Sequence, residues 1–168
     1  MMADYCIVIG NHLYNIDTIE WSDRHGIDVG GNYNEIIGNI IHTAKARGIN
    51  ISGDYNVVIH NQLYNISAEP IYDGGTDNKI QYNKGYITEN SGTATFSGDG
   101  TTTTFDIPHG LSGSAATWFV QKASNISEDI EYVEEVTVDS TKYLRVHFES
   151  APPSGTDNIV LKWQARTY

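Results

Sequence analysis

The chain has one cysteine, Cys6, among its 168 residues. A single thiol excludes an internal disulfide and a thiolate metal cluster built from one chain. No apolar run approaches the ~18 residues of a membrane-spanning helix, and the first residues lack the basic segment and apolar stretch of a secretion signal. Only 18% of the residues are charged, while glycine, asparagine, threonine and serine are abundant. This composition is typical of an all-β protein with many turns.

Positive charge is also scarce. Ten Lys and Arg residues stand against 21 Asp and Glu residues, which gives a formal net charge of -11. A protein of that charge repels nucleic acids and anionic membrane surfaces at long range. We therefore expect no nucleic-acid partner, no membrane insertion, and partners that are neutral or cationic.

A 22-residue repeat is the main internal pattern. The hexapeptide Asn34 to Asn39 recurs as Asn56 to Asn61 and again as Asn78 to Asn83. An earlier copy, Cys6 to Asn11, lies 28 residues ahead, and the six extra residues predict a protruding loop around 17–24. A period near 22 residues with short β-branched runs predicts the coils of a parallel β-solenoid.

The repeat predicts which side chains stack inside the solenoid. Three columns should be buried: Val8, Ile36, Val58 and Ile80; Leu13, Ile41 and Leu63; and Ile27, Ile49 and Ile71. A fourth column should form a turn ladder of side-chain amides: Asn11, Asn39, Asn61 and Asn83. The pattern weakens in the last copy, so we expect about three and a half coils ending near residue 88.

The texture changes after residue 90. Alternating strands replace the repeat and are predicted at 93–96, 102–107, 117–122, 130–138, 143–149 and 159–165. Strict alternation marks one buried face per strand, as for Leu144, Val146 and Phe148. We therefore predict two domains, β-helix coils over 1–90 and a C-terminal antiparallel β-sandwich or jelly-roll over 91–168.

Both halves resemble known families. The pattern Asn-x-Ile-Ile-Gly-Asn, with Gly-Ile-x-Ile-x-Gly in the same coil, resembles the right-handed parallel β-helix of pectate-lyase-like proteins and phage tailspikes over residues 4–88. The run from Thr95 to Leu111, with the turn segment Ala151 to Asn158 and the closing Leu161-Lys162-Trp163, is similar over residues 93–168 to the C-terminal β-sandwich domains of viral tail fibres. The resemblance implies a homotrimer in the tail fibre or spike of a virion, working outside the cell as an adhesin that contacts a host surface glycan or protein.

An outward aromatic column is the candidate ligand site. Four residues share one coil position after the buried leucine column, and a further aromatic lies in the predicted loop: Tyr14, His42, Tyr64 and Tyr86, with Trp21 in the loop. Amphipathic rings in a strip suit the apolar faces and hydroxyls of sugars. The alternative is that these rings stack along the fibre or pack between subunits. A second column, Tyr5, Tyr33 and Tyr55, is predicted to be structural.

Catalytic and metal patterns are weak. A β-helix lyase needs clustered carboxylates for calcium and a nearby base, whereas the acids here are scattered. A glycosidase needs two facing carboxylates, and Asp28 and Asp73 lie two coils apart. No His-x-His or His-Glu-x-x-His spacing occurs, and His109 is expected to order a loop. We expect no catalytic residue, cofactor or metal; the alternatives are a polysaccharide-degrading depolymerase fragment and a structural trimerisation or folding cap.

Overall fold

The computed structural model describes residues 3–16 and 24–168, and the regular elements in these ranges are all β-strands. Two compact units divide the chain, Met1–Tyr86 and Ile87–Tyr168. In the described ranges no helix is long and apolar enough to cross a membrane. The predicted loop around 17–24 falls almost wholly on 17–23, outside the described residues.

Ten short strands form the first unit. They are β1 (Ile7–Ile9), β2 (His12–Ile16), β3 (Ile27–Val29), β4 (Glu35–Ile37), β5 (Ile40–Ala44), β6 (Ile49–Ile51), β7 (Val57–Ile59), β8 (Gln62–Ile66), β9 (Ile71–Asp73) and β10 (Lys79–Gln81). They pair only in parallel, in three sheets that we number by chain order. Sheet 1 is β1-β4-β7-β10, sheet 2 is β2-β5-β8 and sheet 3 is β3-β6-β9. Each of the first three coils contributes one strand to each sheet, and the fourth contributes β10 to sheet 1, which is the arrangement of a parallel β-helix.

The strand register follows the repeat. Val8 pairs with Ile36 and Ile36 with Val58, offsets of 28 and 22 residues. The other two predicted columns pair in the same way along sheets 2 and 3. Their side chains form one core, in which Ile36, Ile41 and Ile49 are fully buried. The three predicted inward columns are therefore confirmed.

The asparagine ladder is also confirmed. Asn39 and Asn61 are fully buried, and the amide oxygen of each accepts hydrogen bonds from the preceding coil. Asn83 closes the series by accepting from Asn61 at 2.9 and 3.0 Å. A parallel series runs at the start of sheet 1, where Asn34, Asn56 and Asn78 each accept the backbone N–H of the coil before. These amides satisfy turn backbone that the coils would otherwise bury without partners.

Six longer strands form the second unit. They are β11 (Glu89–Gly98), β12 (Thr104–Pro108), β13 (Thr117–Lys122), β14 (Ile130–Val138), β15 (Thr141–Phe148) and β16 (Gly155–Arg166). All pair antiparallel, in sheet 4 (β11-β16-β13) and sheet 5 (β12-β15-β14). All six predicted strands are present, and β13 and β14 have the predicted bounds.

The inward residues of these two sheets share one core. Leu144 and Val146 of β15 are fully buried, as are Ile159 and Leu161 of β16, and Phe105 packs with them. Alternation along each strand thus gives each sheet one apolar face, and the two apolar faces cover each other. The predicted fold class is confirmed: the chain is all-β, with a short parallel β-helix followed in sequence by an antiparallel β-sandwich.

Candidate functional site

The predicted aromatic column lies on the outward face of sheet 2. Tyr14 pairs with His42, and His42 pairs with Tyr64, in β2, β5 and β8. The ring centroids of Tyr14 and His42 are 4.8 Å apart with nearly parallel planes, and those of His42 and Tyr64 are 5.7 Å apart. The ammonium of Lys84 lies over the Tyr64 ring, 4.9 Å from its centroid. The rings therefore cover one another's faces and present mainly their edges and hydroxyls.

Tyr86 does not extend this column. It is partly buried and packs against the hydrophobic core of the first unit. In the fourth coil, Gly85 occupies the position that Leu13, Ile41 and Leu63 hold in the others, with a φ of +89°. An added Cβ there would lie 2.5 Å from the carbonyl oxygen of Leu63. The backbone thus turns at Gly85, and the Tyr86 ring packs partly buried against the core.

Burial changes the chemistry of Tyr86. Loss of solvent raises the pKa of its phenol above 10, and the nearby carboxylates of Asp73 and Glu69 raise it further. The Tyr86 phenol is therefore neutral, and its ring packs against the core as the ring of a structural residue does. Trp21, the remaining predicted ligand residue, lies outside the described residues.

A second aromatic column runs beside the start of sheet 1. Tyr5, Tyr33 and Tyr55 stack with centroids 5.2 Å apart and planes within 8° of parallel. All three have a φ between 56° and 58°, which costs a non-glycine residue on the order of 1 kcal/mol. Asp77 takes the next position with the same backbone geometry, and its carboxylate is the main cause of a raised pKa at Tyr55. The column is a turn ladder, and its rings are about half exposed or more.

The outward face of sheet 1 is aliphatic. In each three-residue strand the central side chain points into the core, so the first and third face outward. Five of these eight outward side chains are Ile7, Ile9, Ile37, Val57 and Ile59. Ile7 and Ile9 are 65% and 58% exposed, and the other three are partly buried. The outward positions also include one carboxylate, Glu35, and one ammonium, Lys79.

Sheet 3 presents a different outward surface. Asn50 donates to Asp28 at 2.8 Å and accepts from Arg47 at 2.7 Å. The Arg47 guanidinium also lies 3.5 Å from the centre of the Tyr72 ring. Polar side chains on this face are thus paired with one another, which makes the aliphatic surface of sheet 1 distinctive. Sequence reasoning followed the buried central residue of each strand and did not consider its two neighbours, although the alternation rule would have identified them.

Asp28 and Asp73, the two acids considered as a glycosidase pair, are engaged in local hydrogen bonds. Asp28 accepts from Asn50, and Asp73 accepts from the side chain of Asn78 at 2.7 Å and the backbone of Gly75 at 3.2 Å. Asp73 also lies in the column of Val29, next to the column of Asp28 and two coils away. The two acids are therefore not brought together. Within the described ranges, no group of three or more His, Cys, Asp or Glu side chains could hold a metal ion.

His109 orders a loop of the second unit, as predicted. Its ring is fully buried, and Nδ1 accepts the backbone N–H of Leu111 at 3.2 Å. Nε2 lies 3.1 Å from a carboxylate oxygen of Glu135, which also accepts the Ala115 N–H at 2.6 Å. Burial lowers the pKa of His109, and the Glu135 carboxylate opposes that shift only in part. A neutral imidazole thus joins two loop segments to β14.

The outward face of sheet 5 carries a paired polar cluster. Arg145 donates two hydrogen bonds to Asp106, both at 2.7 Å, and these hold the pKa of that carboxyl below its usual range. His147 lies 3.0 Å from Glu134 and stacks on Tyr132 with centroids 4.0 Å apart. The charged groups and the aromatic face of this surface are therefore already matched within the chain.

The outward face of sheet 4 is less internally matched. Register sets Thr117 and Phe119 of β13 beside Arg166 and Gln164 of β16. A cavity of about 230 Å³ lies here, lined by these four residues and Trp118. A second, of about 320 Å³, is lined by Gln164 and Arg166 together with Glu89, Asn90 and Ser91. The two cavities share two lining residues, so they lie next to each other across the strands.

Comparison with known proteins gives no relative. No family model matches the chain, and no curated protein or solved structure matches it. The function of this chain must therefore be argued from its own surfaces. On the aliphatic face of sheet 1 and the exposed face of sheet 4, the side chains are least paired with one another within a single copy.

Proposed function

We propose that the chain is part of a homotrimeric viral adhesin, similar to a tail fibre or tailspike, which contacts a glycan on the host surface from outside the cell. Support comes from the combination of β-helix coils and a β-sandwich, which is the build that the sequence resemblance implies. The observation that carries the proposal is the aliphatic outward face of sheet 1, because it gives copies of the chain a reason to associate.

The composition of that face fits an interface between copies. Ile9, Ile37 and Ile59 form a continuous outward column on neighbouring strands, and Ile7 and Val57 belong to the column beside it. These five residues form an aliphatic strip, and the charged outward residues beside them are one carboxylate, Glu35, and one ammonium, Lys79, so the face has no net charge in a chain of net charge -11. Contiguous exposed aliphatic patches are uncommon on soluble monomers, and where they occur they often mark association sites.

Approximate free energies indicate whether burial of the strip alone is enough for association. Burying an aliphatic side chain completely contributes about 1.5–3 kcal/mol, so two that are more than half exposed and three that are partly buried contribute on the order of 4 kcal/mol per copy. Association costs at least about 4 kcal/mol. The strip alone therefore gives weak association, and the half-exposed rings of Tyr33 and Tyr55 at its edge are the natural source of additional buried area.

In this proposal the glycan has two candidate surfaces in the chain. The outward column of Tyr14, His42 and Tyr64 offers ring edges and hydroxyls, although the Tyr64 hydroxyl already donates to Gln62 at 2.7 Å. The exposed face of sheet 4 is the other.

A structural cap is the second candidate function, and a specific observation favours it. The ring faces of the outward column are used in stacking, and Tyr86 packs against the core. Both features stabilise the coils without requiring a ligand. On this view the chain holds copies together and the host contact lies elsewhere.

Sedimentation velocity at micromolar concentration tests the assembly. We expect a trimer for the wild type and a monomer for Ile59→Lys, because a buried ammonium in the strip costs more than the strip contributes. Gln62→Lys is the matched control, since it adds the same charge three residues away on the outward face of sheet 2 and should leave the trimer intact. Circular dichroism must show unchanged strand content in both variants. A wild-type monomer would overturn the proposal.

A further inference from the structure

We propose that the outward face of sheet 4 binds an acidic saccharide, with Phe119 as the platform for the sugar ring and the side chains of β16 as hydrogen-bond donors. This inference rests on the proposed function, because it names a ligand class and a surface for the host contact. It also moves that contact from the aromatic column of the β-helix to the sandwich.

Phe119 is the first element of the site. It is 58% exposed, although it lies within a regular strand rather than at a loop tip. In the described part of the chain no other aromatic ring stacks on it, in contrast to the exposed rings Tyr14, Tyr33 and Tyr132. An aromatic face that is open and rigidly held is what the apolar face of a pyranose ring packs against.

The donors of β16 are the second element. Lys162, Gln164 and Arg166 alternate along the strand and so share its outward face. Successive members are about 6.8 Å apart, which spreads three donor groups over roughly 13 Å of an exposed surface. Gln164 pairs directly with Phe119 on the neighbouring strand, so the central donor lies beside the ring.

The orientation of the Gln164 amide sharpens its role. Its oxygen satisfies Arg166 when it accepts from Nε at 3.1 Å and Nη2 at 2.7 Å. This leaves the amide nitrogen as the group that Gln164 offers to a ligand, and a primary amide donates two hydrogen bonds. The contact also holds the guanidinium in place, so both planar groups are ordered before a ligand arrives and less entropy is lost on binding.

Charge argues for a ligand that carries a carboxylate. The chain as a whole has 21 acidic against 10 basic side chains. On this face the balance is reversed, with Lys162 and Arg166 against Glu89, whose carboxylate lies 3.7 Å from Arg166. The remaining outward side chains of β11 and β13 that flank them are mostly serine, threonine and glutamine, which hydrogen-bond readily to sugar hydroxyls. Two cations are too few for a nucleic acid, whose affinity depends on many phosphate contacts.

The opposite sheet supplies an internal comparison. On the outward face of sheet 5, Arg145 is held by Asp106 in two hydrogen bonds, and Tyr132 is covered by His147. The same residue types are therefore present on both faces of the sandwich, but only sheet 4 leaves its aromatic ring uncovered. Tyr132 is 48% exposed, a fraction similar to the 58% of Phe119, so it makes a matched control.

Saturation-transfer NMR with 3′-sialyllactose as the probe and lactose as its neutral counterpart tests the site on the full chain. We expect saturation transfer to 3′-sialyllactose and little or none to lactose. Phe119→Ala should weaken binding about tenfold, and Phe119→Tyr, which keeps the ring, should stay within about twofold of the wild type. Lys162→Gln should weaken binding of 3′-sialyllactose about threefold or more. Tyr132→Ala should bind as the wild type does.

Three results would overturn the inference: no binding of 3′-sialyllactose by the wild type, equal binding of lactose, or equal losses in Phe119→Ala and Tyr132→Ala. Tryptophan emission, to which Trp163 packed against the sandwich core contributes, reports whether each variant is folded. Sedimentation of the same samples keeps this test separate from the assembly. A monomer that binds 3′-sialyllactose supports the site and contradicts the trimer, whereas a trimer that does not bind does the reverse.

Discussion

The backbone N–H and the side-chain Nδ2 of Asn39 both donate to the amide oxygen of Asn61, at 2.9 and 3.0 Å. Asn61 in turn donates from its own Nδ2 to the carbonyl of Ile36 at 2.9 Å. One buried side chain thus satisfies three polar groups of the neighbouring coil. The coils are joined at this turn by side chains as well as by the strand ladder.

Replacing Asn61 with alanine should destabilise the β-helix strongly. The change removes the partner of the Asn39 backbone N–H, one of the two partners of Asn39 Nδ2 and the Asn61 donor to the Ile36 carbonyl, and each buried unsatisfied group costs about 1–3 kcal/mol. We expect the free energy of unfolding to fall by about 3 kcal/mol or more, measured by urea titration with far-UV circular dichroism. Asn11→Ala is the control, because Asn11 is exposed at the first rung and should cost less than about 1 kcal/mol. Equal losses would contradict a buried ladder.

Two glycines should respond oppositely to an added side chain. A Cβ at Gly53 would collide with the backbone carbonyl of Gly31, so Gly53→Ala must push two coils apart. Gly38 has a φ of +65° and nothing within 4 Å of an added Cβ. The same column holds His60 and Tyr82 in left-handed backbone, so Gly38→Asn should be tolerated. Thermal melts should show a large loss of midpoint for Gly53→Ala and a change of a few degrees or less for Gly38→Asn. The reverse order would be incompatible with this packing.

Tyr86 should behave as a core residue. Truncation to alanine removes a ring that packs against the last coil, and we expect a loss of about 2–3 kcal/mol, below the ~3–5 kcal/mol of a fully buried aromatic. Tyr86→Phe keeps the ring and should cost less than about 1 kcal/mol. Urea titration of both variants measures the difference. If Tyr86→Ala were neutral, the ring would be a surface group and the predicted outward position would be restored.

The second unit should lose stability in mild acid because of His109. Burial lowers the pKa of this imidazole in the folded state, so below about 6.5 the unfolded chain binds a proton that the folded chain does not. Stability from this group is therefore complete above that pH and falls as the pH decreases, by at most about 1.4 kcal/mol per pH unit. Tryptophan-monitored urea unfolding between pH 7.5 and 5, roughly one unit either side of the ordinary histidine pKa, measures the slope.

A variant isolates that effect. His109→Asn keeps a side-chain acceptor for the Leu111 N–H but does not titrate in this range. We expect its stability at neutral pH to be lower and its dependence on pH to be flatter than in the wild type. An unchanged slope would assign the acid sensitivity to other groups.

The sequence was sufficient for the β-helix wherever a residue type repeats with the coil. The columns through Ile36, Ile41 and Ile49 could be predicted because a parallel sheet places equivalent residues one above another. The position of Tyr86 could not be predicted in this way, because aligning side chains by the 22-residue period does not show that the backbone turns at Gly85. The Tyr86 ring then packs against the core in the coil that lacks this leucine.

The surfaces were harder to predict than the core. Burial of Leu144 or Leu161 follows from alternation within one strand, but the site on sheet 4 depends on which strands are neighbours. Phe119 and Gln164 are far apart in the chain and meet only through the antiparallel pairing of β13 with β16. Alternation limits each of them to one of two faces, but only the strand topology decides which residues lie beside it.

The asparagine ladder gives the β-helix a direction. At Asn11, Asn39 and Asn61 the backbone N–H and one hydrogen of the amide nitrogen donate to the asparagine oxygen of the following coil. Within the described residues, the oxygens of Asn39, Asn61 and Asn83 accept only from the preceding one. Aligned hydrogen bonds of this kind polarise one another in the same sense. Two such stacks could extend a common ladder only head to tail, because the opposite arrangement would place donors against donors. Polarity along the axis is thus encoded in a column of uncharged amides.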